Sequence, residues 1–213
     1  MYLKYIRRYG LVFMILMLLS SAGSLNRSYK LALKYYRKGE YSLALSKVNL
    51  AIAQDRTTEA MWLKGHILAA MKNYNRAVYF LGYKLSHGNE PDENLTAMGD
   101  AYYELRKYDL ARDCYRRVKQ LGVLEYSNLG MAYYELNYHD SALYFLSKVI
   151  ELDSANASVY YIRGIVHGDE LRMGCACLDF QRACDLGVPN ACEALERQNC
   201  LSWKKEWQCK AGY

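Results

Sequence analysis

Five pairs of small residues recur at nearly constant spacing along this chain, and that recurrence limits the fold more than any other feature. The second member of each pair is Ala44, Ala77, Ala111, Ala142 or Ala176, at separations of 33, 34, 31 and 34 residues. Twelve positions before each stands Ala32, Gly65, Gly99, Gly130 or Gly164. Three residues after each first small residue come Tyr35, Leu68, Tyr102, Tyr133 and His167, and three before each Ala come Tyr41, Tyr74, Tyr108, His139 and Met173. A period in this range signals stacked helical hairpins, none of which can bury its apolar face alone. Two antiparallel helices approach closely only where side chains are small, and a large residue three or four positions away fills the space beside them.

The register predicts an all-α chain with helix pairs at 25–38 with 41–53, 58–72 with 74–86, 92–105 with 108–120, 123–136 with 139–152, and 157–170 with 174–186. Gly122, Gly187 and the Gly88–Pro91 turn fall at boundaries, where a helix end needs positive φ or cannot continue. Pro189 suits the first turn of a last helix, about 189–199, which caps the open apolar end of the stack. With 2 Pro and no low-complexity tract among 213 residues, long disordered segments are not expected.

Leu129-Gly130, Tyr133 and Ala142 carry a pattern that Gly99, Tyr102, Tyr108 and Ala111 repeat, and that Gly39, Tyr41 and Ala44 repeat in part. On these residues the chain resembles the tetratricopeptide repeat family over roughly residues 25–187. The departures are the late Pro, missing from every repeat, Asn137-Tyr138-His139 in place of Gly-x-Tyr, and a fifth repeat that keeps only Gly164 and Ala176. The resemblance implies a right-handed solenoid of about five helix-turn-helix repeats, no catalytic residues, no cofactor, and a protein or peptide partner bound where first helices line a concave groove.

Projected onto that groove, the register places Tyr29, Tyr36, Trp62, His66, Asp100, Tyr103, Met131, Tyr134 and Tyr161 on its wall. Tyr36, Tyr103 and Tyr134 each follow a packing tyrosine and so lie about 100° further round the helix. An aromatic groove suits an apolar or Pro-containing peptide, or a partner helix. The alternative, open at this point, is that these rings pack against neighbouring repeats with their hydroxyls in water. Relatives that clamp a C-terminal carboxylate carry Lys and Asn at slots that hold Tyr29, Leu33, Trp62 and His66 here, which argues against that mode.

Residues 1–10 carry Lys4, Arg7 and Arg8, residues 11–19 are unbroken apolar, and Ser20–Ser24 are small. This is the layout of a secretory signal peptide over residues 1–22, with cleavage expected after Ala22 or Ser24. The apolar run is too short for a span of roughly 20 residues. Loss of those three charges leaves 25 of the 28 basic residues against 22 acidic ones, net +3 in place of +6. So small a balance without a clustered basic face speaks against nucleic-acid binding. The expected location is outside the cytoplasm, periplasmic or in the cell envelope.

Six of seven cysteines crowd into the last 39 residues. No CxxC knuckle is present and the 4 His are scattered, so no metal site is expected; in an exported chain the reading is disulfides. Cys184 and Cys192 flank the turn 185–191, and Cys177 and Cys200 each lie about two helical turns further out, so both pairs form rungs of one hairpin bracing a cap over 188–213. The segment ACDLGVPNAC resembles cysteine-rich relatives of these repeats, in which a bridge links one helix to the next. Cys114 is expected as a buried thiol, while Cys175 and Cys209 either pair or stay reduced. No phosphate loop, nucleophile elbow or HExxH motif is present. The functional expectation is a binding scaffold, with a structural subunit of an envelope assembly, or a thiol redox factor using Cys175 and Cys177, as rivals.

Overall fold

A computed structural model describes residues 27–83, 91–200 and 209. The expected leader, Gly88 and most of the tail beyond Cys200 lie outside the described residues. Every regular element among the described residues is helical: a helical segment over 27–37 (α1), then α2 Tyr41–Gln54, α3 Thr58–Ala70, α4 Tyr74–Leu81, α5 Asp92–Glu104 and α6 Tyr108–Arg116. They continue as α7 Val123–Glu135, α8 His139–Leu152, α9 Ala157–Asp169, α10 Met173–Asp185 and α11 Pro189–Arg197. None is long and apolar enough to cross a membrane.

The helices begin where local chemistry satisfies their unpaired N–H groups. Thr57 Oγ1 accepts from Ala60 N at 3.2 Å, and Asn156 Oδ1 accepts from Val159 N at 3.4 Å. Ahead of α7, Gly122 N donates to the Glu125 carboxylate at 3.0 Å, which binds the chain back onto the first turn. Gly122 itself is extended, with φ −118°, so its place at a boundary comes from this cap and not from a left-handed turn. Asp92 and Glu93 put negative charge in the first turn of α5, after Pro91. Two boundaries differ from expectation: α4 stops at Leu81, where residues 82–83 form a turn, and α6 stops at Arg116, four residues early, ahead of a bend at Lys119 and Gln120.

The turn inside each hairpin has one construction. The backbone N–H of Glu40, Asn73, Lys107, Tyr138 and Arg172 donates to the carbonyl of Tyr35, Leu68, Tyr102, Tyr133 and His167 respectively, at 2.8–3.0 Å. These acceptors are the five packing residues of the sequence pattern. The residue before each donor is left-handed: Gly39, Lys72, Arg106, Asn137 and Leu171, with φ between 57° and 76°. This is the closure that ends a helix by satisfying its last carbonyls. Only the first repeat gives the position to glycine. Leu171 is strained there, since a left-handed non-glycine residue costs roughly 1–2 kcal/mol, and its side chain is left 84% exposed.

The chain divides between Ala101 and Tyr102 into two compact units. In the first, Ala32, Ala44, Val48, Ala60, Leu63 and Ile67 form a buried core with Tyr35, Leu45 and Ile52 packed around it. In the second, clusters follow chain order: Ala111, Tyr115, Leu129 and Ala132; then Ala142, Leu143, Leu146, Val149, Val159 and Val166; then Ala176, Cys177, Phe180, Ala194, Leu195 and Cys200. The last includes α11, which lays Ala194 and Leu195 on α10. Disulfides Cys184–Cys192 and Cys177–Cys200 join α10 to α11 and the residue run beyond it, and Cys175–Cys209 ties down the tail. Each contributes roughly 2–4 kcal/mol by restricting the unfolded chain. Cys114 is buried outside these bridges.

The small residues of the repeat earn their place by what stands against them. A Cβ added to Gly130 would sit 2.8 Å from Leu146 Cγ, and one added to Gly164 would sit 2.7 Å from a Phe180 ring carbon. At Gly65 the added atom would meet both side chain and backbone of Leu81, Cγ at 2.6 Å and N at 2.8 Å. In all three the contact is with the residue sixteen positions on, four beyond the repeat's Ala, so the Ala permits the approach and its successor fills the gap. Gly168, in α9, has nothing within 4 Å of the added atom. Gly65→Ala is therefore expected to destabilise by about 1–3 kcal/mol through overpacking, while Gly168→Ala stabilises by about 0.5–1 kcal/mol as an ordinary helix substitution. Urea denaturation of both variants checks the opposite signs.

Candidate functional site

The nine projected residues all lie on first helices of the hairpins, α1, α3, α5, α7 and α9. Asp100 is exposed and the other eight are half-buried. What distinguishes them is how much of their polar capacity is already used within the protein.

In the first unit, Tyr29 and Tyr36 rest on the Ala32–Ala44–Val48 core. Burial, followed by Glu59 for Tyr29 and by Tyr41 and Glu93 for Tyr36, raises both hydroxyl pKa values above the ordinary tyrosine range. The Tyr36 ring lies 6.0 Å from that of Tyr41, the first residue of α2. Trp62 donates its indole N–H to the carbonyl of Tyr83 at 3.0 Å, which fixes the ring against the end of its own hairpin. His66 Nε2 pairs with Asn94 Oδ1 at 2.7 Å. Asn94 is only 3% exposed, and its Nδ2 has no partner.

In the second unit the tyrosines form a relay of hydroxyl–carboxylate bonds from one repeat to the next. Tyr103 donates to Glu135 Oε1 at 3.2 Å, and Tyr134 donates to Asp169 Oδ2 at 2.8 Å. Glu135 and Asp169 are the last residues of α7 and α9, so each tyrosine reaches the C-terminal end of the next first helix. Burial first, then the carboxylate, raises both hydroxyl pKa values; that of Tyr134 reaches about 12. Each ring also meets the first residue of its own second helix, Tyr103 with Tyr108 at 5.2 Å and Tyr134 with His139 at 5.9 Å. His139 Nδ1 in turn contacts Glu170. Tyr161 packs 5.9 Å from Phe180, at the edge of the cluster beneath the cap. Tyr133 is half-buried as well, packed against the core clusters and stacked on Phe145 at 5.4 Å.

Several participants escaped the sequence projection. Glu135 and Asp169 escaped because their partners lie one repeat away, although Tyr-Tyr-Glu at 102–104 and again at 133–135 is a signal that could have exposed Glu135. Asn94 escaped because a polar residue in a first turn reads as surface. So did Arg163, which grips Asp179 with Nε and Nη2, both at 2.7 Å, and donates from Nη1 to Ser147 at 3.0 Å. Asp179 is 5% exposed, a buried carboxylate made tolerable by that two-pronged pairing.

The arrangement offers ring faces, a carboxylate edge and hydrogen-bonded hydroxyls. The comparisons agree with a repeat protein of this build. The tetratricopeptide repeat family matches residues 93–121 and 126–156, so these two stretches are tetratricopeptide repeats. Among solved structures it is similar to YrrB, described as a TPR protein with an unusual peptide-binding site, with a TM-score of 0.72 at 19% identity, covering 79% of this chain and 90% of that one. It is also similar to MamA of Desulfovibrio magneticus RS-1, with a TM-score of 0.70 at 18% identity, covering 76% of this chain and 94% of that one. At such identities the likeness is one of fold. Ethylene-overproduction protein 1 of Arabidopsis thaliana is 29% identical over 154 residues, 68% of this chain but 16% of that protein, so this chain spans a small part of that relative's length.

The relay predicts an alkaline signature. A Tyr134 hydroxyl that stays protonated to about pH 12 in the fold, against 10.0 ordinarily, contributes stability that is whole below pH 10 and lost as the pH rises towards 12. Tyr134→Phe is expected to cost about 0.5 kcal/mol at pH 7, the low end for a hydrogen bond open to water. It should also reduce the loss of stability between pH 10 and 12, which chemical denaturation across that range measures.

Proposed function

We propose that this protein is a non-enzymatic binding scaffold, exported from the cytoplasm, whose first-helix tyrosine faces take an apolar or Pro-containing peptide or a partner helix. The observation that carries the reading is the set of half-buried rings on those helices, anchored at one side and open at the other. Tyr36, Tyr103 and Tyr134 are held by the residue that opens the second helix. Tyr103 and Tyr134 are also held by a carboxylate. Rings fixed in this way lose little side-chain entropy when a ligand stacks on them, and the fixed geometry favours shape recognition. The peptide-binding site described for YrrB supports the same use of a repeat fold. Export is supported by the basic, apolar and small-residue leader and by three disulfides, which persist in oxidising compartments.

A second reading has its own observation. The hydroxyl–carboxylate relay spends the polar capacity of Tyr103 and Tyr134 on joining repeats, as a structural subunit of an envelope assembly would need.

Capture from an envelope extract separates the two. Wild-type chain is compared with the Met131→Ala, Tyr134→Ala double variant, whose helicity is verified by circular dichroism. Groove binding predicts that a partner recovered by the wild type falls by on the order of tenfold with the variant, a loss of about 1.4 kcal/mol. The captured chain should begin after Ala22 or Ser24. Undiminished recovery by the folded variant contradicts groove binding and favours the assembly reading.

A further inference from the structure

The cap holds a group of side chains that the scaffold reading does not use. A ring nitrogen of His167 and the sulfurs of Cys175 and Cys209 all lie within 4.8 Å of one another. His167 and Cys175 are buried, and Cys209 is exposed. His167 occupies the packing slot that Tyr35, Leu68, Tyr102 and Tyr133 fill in the other repeats, so its neighbours bury it as they would an apolar residue. Yet it leaves Nδ1 without a hydrogen-bond partner, with the whole residue 8% exposed. A bare buried nitrogen is costly, and a Tyr or Leu would fill the slot without it. The other nitrogen, Nε2, faces Asp179 Oδ2 at 3.9 Å, and Arg163 holds that carboxylate in place.

We propose that Cys175, Cys209 and His167 form a zinc-class metal site in the reduced protein, so that the Cys175–Cys209 bridge and a bound divalent ion are mutually exclusive ways of fastening the tail to the cap. Two thiolates and an imidazole are a donor set that zinc favours, and three protein ligands leave the fourth tetrahedral position to water. A histidine that ligates through one nitrogen commonly turns the other towards a carboxylate, which orients the ring and raises its basicity. Asp179 stands on that side of His167, and the nitrogen without a partner remains for the ion. The histidine is what sets this pair apart: Cys177–Cys200 and Cys184–Cys192 belong to no such group among the described residues.

The exchange balances. A dithiol transfers two electrons and two protons to the bridge, leaving Cys175 and Cys209 as thiols and the donor as its own disulfide. The ion then displaces both thiol protons to water. The exposed Cys209 sulfur is the one an incoming thiolate can reach, which makes Cys175 the leaving thiol.

The full chain, reduced anaerobically with a phosphine in place of the dithiol, is titrated with Co2+ and followed by its visible d–d bands and near-ultraviolet thiolate charge transfer. One ion is expected to bind the reduced protein and none the oxidised one. Cys209→Ser and His167→Gln should each weaken binding by on the order of tenfold or more. The Cys184→Ser, Cys192→Ser double variant should leave it unchanged. Because reduction opens all three bridges, a second measurement uses zinc-loaded reduced wild type. Iodoacetamide should label the exposed Cys209 in the metal-free reduced chain and spare it in the zinc-loaded one, while Cys184 and Cys192 label alike in both, as read by peptide mass mapping. Failure of the reduced wild type to bind, binding that survives both single variants, or zinc that leaves the labelling of Cys209 unchanged overturns the proposal.

Discussion

Everything in this fold depends on one close approach between the two helices of a hairpin. A residue without a side chain on the first helix, Gly65, Gly130 or Gly164, receives the residue sixteen positions later, Leu81, Leu146 or Phe180. The second helix can come this near because the residue four before the intruder is Ala77, Ala142 or Ala176, each fully buried. With that distance set, the packing residue at +3 falls beside the turn, where its carbonyl accepts the bond that closes the hairpin. The tyrosine at +4, where present, is turned onto the first residue of the second helix. A periodic fold follows from one contact repeated, and its stability is a sum of hairpins and the faces between them.

The same dependence explains where the chain accepts strain. Closure requires a left-handed residue two positions past each first helix, and Gly39 meets that need without cost. Lys72, Arg106, Asn137 and Leu171 are driven into it by the bond to the packing carbonyl and by the contact beneath. Hairpin packing is worth more than the roughly 1–2 kcal/mol that each left-handed turn costs. At the cap, where α11 contributes only Ala191, Ala194 and Leu195 to the buried set, covalent bonds take over part of the work.

The fold was largely legible in the sequence because its signals are short in range and repeat. Gly130 with Ala142 located α7 and α8, Pro189 opened α11 where expected, and the spacing of Cys177, Cys184, Cys192 and Cys200 was enough for two bridges, since a hairpin imposes its register on both arms. What stayed hidden depends on contacts the local register does not carry. The partner of Cys175 could not be chosen because Cys209 follows a tail with no helical period. The left-handed state of Leu171 has no trace in its residue type. For the tyrosines the register placed the residues on first helices but did not carry the chemistry: the carboxylates that hold Tyr103 and Tyr134 belong to the next repeat, and Asn94, the partner of His66, is buried at a position whose polarity suggests water.

The central claim is that first-helix glycine and second-helix intruder act as one unit, and a double-mutant cycle on Gly130 and Leu146 tests it most directly. Gly130→Ala, Leu146→Ala and the double variant are compared by urea denaturation. Gly130→Ala should be destabilising in the presence of Leu146 and close to neutral once Leu146 is cut back, giving a coupling energy of about 1 kcal/mol or more. Strictly additive effects, with Gly130→Ala costing as much in either background, would contradict the account.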